Sequence, residues 1–291
     1  MPNRLPLFLA ACALAAAADI TPIETAKPTL DIGIIVASLD KADAFYGKVL
    51  GLERTDMRMP DGSVMERYRS GTSIIKLREF PKAPKYTEEL RKAVGIRVLS
   101  LFTYDIDGVV KRYLASGASQ PRQVPFGNQG IKLAFLSDPD GNEIEMIGLP
   151  ASRQTDAPID RMQIGLTVSD PEKSREFYGK ILGLPEQKAQ SQALLDGNLE
   201  YMFNAGRTTI KFWIADGKNV PRHTGQIADA IGLRYFTFLV KDVDATAAIL
   251  KSRGATIVRE PMDFGSIARI MMISDPDGNL VEFAAPKTSS R

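Results

Sequence analysis

The stretch Ala44-Phe45-Tyr46-Gly47-Lys48-Val49-Leu50-Gly51-Leu52 returns 132 positions later as Glu176-Phe177-Tyr178-Gly179-Lys180-Ile181-Leu182-Gly183-Leu184. Ser137-Asp138-Pro139-Asp140-Gly141-Asn142 returns 137 positions later as Ser274-Asp275-Pro276-Asp277-Gly278-Asn279. Between them, the run from Asp105-Ile106-Asp107 to Gly117-Ala118 is answered by Asp242-Val243-Asp244 to Gly254-Ala255. Three matches in one order mark a duplicated unit, and a chain of 291 residues holds two such copies and little else. The break falls in the polar, proline-containing stretch Pro150 to Pro158, so the expected domains are residues 28–150 and 159–286.

Each copy divides again. In the first, an apolar strand from Leu30 to Ala37 leads into a helix whose Ala42, Phe45, Tyr46, Val49 and Leu50 recur at helical spacing. Ser38 caps its start and Gly51 sits where a left-handed C-terminal cap is wanted. Strands follow near 53–58, 63–69 and 72–80. The second half repeats the order: strand 97–104, a helix from Asp105 with Val109, Val110, Tyr113 and Leu114 on one face, a stop at Gly117, then strands near 121–125, 130–137 and 142–148. In the second copy Asp170-Pro171 supplies a cap and a first-turn proline, and Gly183 and Gly254 supply stops. The fold class is α+β: strand, helix and three strands, four times over. The Asp-Pro-Asp-Gly-Asn segments are tight turns, with proline presetting one backbone angle and glycine accepting the left-handed one. Alternation after them puts Glu143, Glu145 and Ile147 on one strand face, and Leu280, Glu282 and Ala284 on the matching face of the second copy.

Residue counts narrow the chemistry. One histidine, His223, and one cysteine, Cys12, exclude a two-histidine metal site, a thiolate zinc site and a Cys/His nucleophilic pair within one chain. A net charge of +2 lacks the basic excess of a nucleic-acid footprint. Asn3-Arg4, then the apolar Leu5 to Ala18, have the shape of a signal peptide over residues 1–18, too short for a comfortable membrane span. The expectation is an exported protein, periplasmic or secreted, cut near Ala18. The alternative is a lipoprotein anchored through Cys12 in Leu9-Ala10-Ala11-Cys12. No other segment approaches spanning length. The expected partner is a small molecule, and the expected state is a monomer or homodimer.

The Phe-Tyr-x-x-x-Leu-Gly-Leu helix ends and the Asp-Pro-Asp-Gly-Asn-x-x-Glu strands, in four modules over about residues 30 to 285, resemble the vicinal oxygen chelate superfamily of glyoxalases, bleomycin-resistance proteins and extradiol dioxygenases. The resemblance implies four βαβββ modules paired into two glyoxalase-like domains, each a curved mixed sheet forming a cup. It also implies that a divalent metal ion, where a member binds one, takes ligands from the first and last strands of each module. Carried over position by position, these are Asp31, Lys76, Val98 and Glu145 in the first copy, and Gln163, Lys211, Tyr235 and Glu282 in the second. The metal candidates are therefore Asp31, Glu145, Gln163 and Glu282. A dioxygenase set of two histidines and a glutamate would fall on Gln163, Tyr235 and Glu282, and the histidines are missing.

An ammonium at a ligand position repels a divalent cation and can neutralise the carboxylate that would have held it. The expectation is that Lys76 pairs with Glu145 and Lys211 with Glu282 inside two cups that do without metal; the alternative has both lysines outward and solvated. Trp213 falls on the face of Lys211, and with Tyr201, Phe203 and Tyr235 it either lines a cup or belongs to the core. The candidate ligand-binding set is Gln163, Tyr201, Lys211, Trp213, Tyr235 and Glu282. His223, in the connector Pro221 to Gly225, is read as a solvated loop group, with a general base as the alternative; Arg67, Arg69 and Arg78 are read as surface charge. Two functions follow: binding of a small oxygenated or aromatic molecule, with residues 159–285 as the functional half, or a metal-assisted lyase, isomerase or dioxygenase.

Overall fold

A computed structural model of the chain describes residues 23–287 except 87, 128 and 192–196, so the expected signal peptide and Cys12 lie outside the described residues. Four modules succeed one another. The first is β1 (Asp31–Val36), α1 (Leu39–Asp43), β2 (Glu53–Arg58), β3 (Val64–Ser70) and β4 (Ser73–Glu79). The second is β5 (Gly95–Thr103), α2 (Ile106–Ala115), β6 (Arg122–Phe126), β7 (Ile131–Ser137) and β8 (Glu143–Gly148). The third is β9 (Met162–Val168), α3 (Pro171–Glu176), β10 (Gln190–Ser191), β11 (Leu199–Ala205) and β12 (Thr208–Ile214). The fourth is β13 (Gly232–Leu239), α4 (Val243–Ser252), β14 (Thr256–Phe264), β15 (Ala268–Ser274) and β16 (Leu280–Pro286). Among the described residues no helix is long and apolar enough to cross a membrane.

Helix starts follow the caps read from the sequence. Ser38, Asp105, Asp170 and Asp242 each accept a hydrogen bond from a backbone N–H in the first turn. The first helix differs from the regular one expected. After Asp43 it widens into a π-type turn over Ala44–Val49, closed by Leu50 N–H to Phe45 C=O at 2.9 Å, and Phe177–Ile181 does the same in the second copy. The wider turn keeps Phe45, Tyr46 and Val49 all in the core.

Tyr46 and Tyr178 explain why two distant motifs recur together. Tyr46 donates its hydroxyl proton to Asp138 at 2.9 Å, and Tyr178 donates to Asp275 at 3.0 Å. Each aspartate also accepts from two backbone N–H groups of its own turn and from the amide of Asn142 or Asn279. Within a copy, then, the first module's helix is pinned to the second module's turn. Burial raises the Asp275 pKa to about 6.

Strand pairing follows a different rule. Two eight-stranded mixed sheets form, in the orders β14-β15-β16-β13-β1-β4-β3-β2 and β10-β11-β12-β9-β5-β8-β7-β6. The first therefore joins modules one and four, and the second joins modules two and three. The seams are the antiparallel pairs β1 with β13 and β5 with β9. Neither sequence copy closes a sheet of its own. One continuous core draws on all four modules between the sheets and their helices, so alternate residues on each strand face that core and the others face a concave surface.

Candidate functional site

Each concave surface has a floor of two rows. In the larger cup, of modules one and four, the strands align Lys76, Gly33, Tyr235 and Leu280 in one row, and Ile74, Asp31, Thr237 and Glu282 in the next. In the smaller cup, of modules two and three, the rows are Lys211, Gly165, Val98 and Glu143, then Thr209, Gln163, Ser100 and Glu145. The eight positions carried over by resemblance are thus all on the floors, redistributed four to each cup.

The redistribution corrects the ion pairs. Lys76 Nζ donates to Glu282 at 2.8 Å and Lys211 Nζ to Glu145 at 2.7 Å, each lysine meeting the glutamate of the other copy. Both lysines point inward. A hydroxyl completes each group: Thr237 donates to Glu282 at 2.6 Å and accepts from Lys76 at 2.6 Å, while Ser100 donates to Glu145. Glycine makes the crossing possible. A Cβ on Gly33 would lie 1.9 Å from the Tyr235 ring, and one on Gly165 would lie 2.9 Å from the Trp213 ring. In both cups an aromatic ring fills the space above this glycine and the ammonium lies over it, at 4.6 Å from the Tyr235 centroid and 5.4 Å from that of Trp213. The two rings come from non-equivalent strands, β13 in one cup and β12 in the other. Burial opposes the charge on Lys76, but Glu282 prevails and lifts its pKa above the lysine range.

This donor set does not fit a divalent cation. Where metal ligands would converge, each cup offers an ammonium within hydrogen-bonding distance of its central glutamate, with a hydroxyl on the same carboxylate oxygen. Asp31 is turned to Lys27 and to the backbone N–H of Ile74, and no cluster of three or more His, Cys, Asp or Glu suited to a metal occurs among the described residues.

Other expectations are corrected by strand parity. Tyr201 pairs with Phe212 across β11 and β12 and stacks on it at 5.1 Å on the helix-covered face, so it cannot reach a cup; Phe203 is fully buried beside it. Trp213 and Gln163 do line the smaller cup with Lys211. Tyr235 and Glu282 belong to the larger cup, so residues 159–285 are not a self-contained functional half. Arg67 and Arg78 line the larger cup, whereas Arg69 is surface charge, with a side chain 53% exposed.

His223 is not solvated. The connector carrying it runs beside the one between β4 and β5, with bridges Lys85 to Ile231 and Val94 to Arg222. His223 is 5% exposed, stacks on Tyr86 at 3.6 Å, bonds to Glu88 at 2.7 Å and contacts Arg97. Burial and the Arg97 charge push its pKa down to about 4. A histidine held neutral in the fold stabilises above its unfolded value near 6.5, and that stability is lost as pH falls toward 4. We expect this residue to account for about 2 to 3 kcal/mol of the loss between pH 7 and pH 4. Urea unfolding of His223→Gln at both pH values checks it: the decline should shrink by that amount, and an unchanged decline would refute the assignment.

The family model described as Glyoxalase/Bleomycin resistance protein/Dioxygenase superfamily matches residues 29–146 and again 160–283. The chain is 26% identical over 191 residues to the Mycobacterium tuberculosis protein named "Putative glyoxylase CFP32", covering 62% of this chain and 66% of that protein, just under two thirds of its length. It is 33% identical over 129 residues to "Uncharacterized protein YraH" of Bacillus subtilis, covering 42% of this chain and 94% of that one. Among solved structures, glyoxalase I from Zea mays matches with a TM-score of 0.64 at 19% identity, covering 88% of this chain and 92% of that one, a likeness of fold.

Proposed function

Because the chain belongs to the glyoxalase/bleomycin resistance protein/dioxygenase superfamily, and because its cups hold ammonium-carboxylate pairs in place of convergent metal donors, we propose that it binds a small, uncharged, oxygen-bearing aromatic molecule in the cup of modules two and three. The observation that carries the reading is a pair of buried donors with capacity to spare. Trp213, 3% exposed, has an Nε1–H with no acceptor among the described residues. Lys211, 6% exposed, has three N–H groups and among the described residues donates one hydrogen bond, to Glu145, with Glu200 next at 4.0 Å. Buried donors normally have partners, so a carbonyl or phenolic oxygen is the missing acceptor.

The walls set the rest. The cavity holds about 300 Å³, at the small end for organic ligands, and Phe102, Leu133, Phe135 and Ile147 give it apolar sides. Glu143, Glu145 and Glu200 outnumber Lys211 and Arg122, which disfavours an anion. Burial and the charge of Glu145 raise the Glu143 pKa, which softens the excess without reversing it.

Trp213 is the only tryptophan, so its emission reports on this cup alone. Titration with a panel of uncharged aromatic ketones should change that emission saturably for at least one member, and Lys211→Met should weaken binding about tenfold or more. No response across the panel, or undiminished affinity in the variant, would count against the reading. The metal-assisted lyase, isomerase or dioxygenase alternative finds no matching donor set in either cup among the described residues. A stoichiometric divalent ion found by elemental analysis of the purified protein would reinstate it.

A further inference from the structure

The cup of modules one and four follows the same plan but has the opposite chemistry. Its cavity is larger, about 530 Å³. Met57, Met59, Met65, Met272, Phe80 and Phe264 give it soft, adaptable apolar walls. Its floor is more fully satisfied: two of the three Lys76 donors are taken by Glu282 and Thr237, and the ammonium lies over the Tyr235 ring.

The free charge is on the walls. Lys27, Arg67, Lys76, Arg78 and Arg259 line this cavity against two acids, Asp31 and Glu282. Asp31 is taken by Lys27 and Glu282 by Lys76, while Arg78 is taken by Asp61 outside the lining. Arg67 and Arg259 form no hydrogen bond or ion pair among the described residues, and Arg67 Nε is buried without an acceptor. They sit on β3 and β14, at opposite flanks of the curled sheet, and line one cavity. A guanidinium left unpaired beside an apolar cavity is a receptor for a carboxylate or similar oxyanion.

We propose that this cup binds an anionic amphiphile, with an oxyanion head held by Arg67 and Arg259 and an apolar body against the methionines, so that one chain carries two sites of different ligand class. This site does not depend on the ligand assigned to the smaller cup, and the test separates the two.

Isothermal titration of the full chain with dodecanoate, dodecan-1-ol and dodecyltrimethylammonium, below their aggregation concentrations, reads the head-group preference directly. Dodecanoate should bind saturably at one site per chain, at least about tenfold tighter than the alcohol, and the cationic homologue should show no saturable binding. Arg67→Leu should erase the preference for dodecanoate over the alcohol, and Arg67→Lys should keep part of it. Dodecanoate should leave Trp213 emission unchanged, because Trp213 lines the other cup. Equal affinity for acid and alcohol, an unaltered preference in Arg67→Leu, or a saturable change in Trp213 emission on adding dodecanoate would each overturn the proposal. Failure of the aromatic ketone titration would not touch it.

Discussion

Lys211→Met should lower the stability of the protein by about 3 to 5 kcal/mol at pH 7, the usual cost of stranding one partner of a buried ion pair. The Lys211 and Glu145 side chains are only 7% and 10% exposed, so water cannot take over the ammonium's role. Glu145 would be left with the hydroxyl of Ser100 as its hydrogen-bond donor, among the carboxylates of Glu143 and Glu200. The double variant Lys211→Met/Glu145→Leu removes both charges and should return to within about 1 kcal/mol of the parent, since buried pairs are often no better than apolar side chains of similar volume. Urea denaturation of the two single variants and the double variant measures the coupling. A loss below about 1 kcal/mol in Lys211→Met would mean that the ammonium is solvated and that the cup is not the closed site described. The equivalent Lys76→Met change should cost less, because that pair is 13% and 14% exposed.

Asp275→Ala should be at least as damaging, at about 4 kcal/mol or more, for a reason unrelated to the cups. The residue is 4% exposed and accepts hydrogen bonds from Asp277 N–H, Asn279 N–H, the Asn279 amide and the Tyr178 hydroxyl. Alanine leaves these donors without their acceptor in a space closed to water, at about 1 to 3 kcal/mol for each buried unsatisfied group before relaxation. Tyr178→Phe removes one donor and keeps the acceptor, so it should cost about 1 to 2 kcal/mol. Thermal unfolding of both variants distinguishes a network from a single contact: similar small losses would show that the turn stands without the aspartate. Asp138→Ala tests the same arrangement in the first copy, where Tyr46 is the hydroxyl donor.

These two sets of residues show how much could be read in advance. The turn motifs, the caps and the strand limits are local, and β2, β7 and β8 begin and end within one residue of where hydrophobic alternation and turn residues put them. Facing was equally legible where a strand was read by itself: Glu145, Trp213 and Lys211 do share a concave surface. Tyr201 failed because its face depends on the register of β11 against β12, where Met202 lies opposite Lys211 and Tyr201 opposite Phe212. His223 failed because its burial comes from a second connector that lies far away in the chain. Arg67 and Arg78 read as surface charge because nothing in a β-strand pattern tells that a sheet will curl over its own polar face.

The amino-acid order alone determined the duplication, the four strand-helix-three-strand modules, and the types of group each would place on its inward strands, since these follow from short-range periodicity and backbone preference. It did not determine which modules would share a sheet. Each module presents a first strand with an open edge, and β1 could hydrogen-bond to β5 as readily as to β13 on local grounds. Only the packed molecule, with helix and turn joined inside each copy and strands joined between copies, decided that Lys76 meets Glu282 and Lys211 meets Glu145. The same choice placed an aromatic ring over a glycine in each cup and set one acidic cavity apart from one basic cavity.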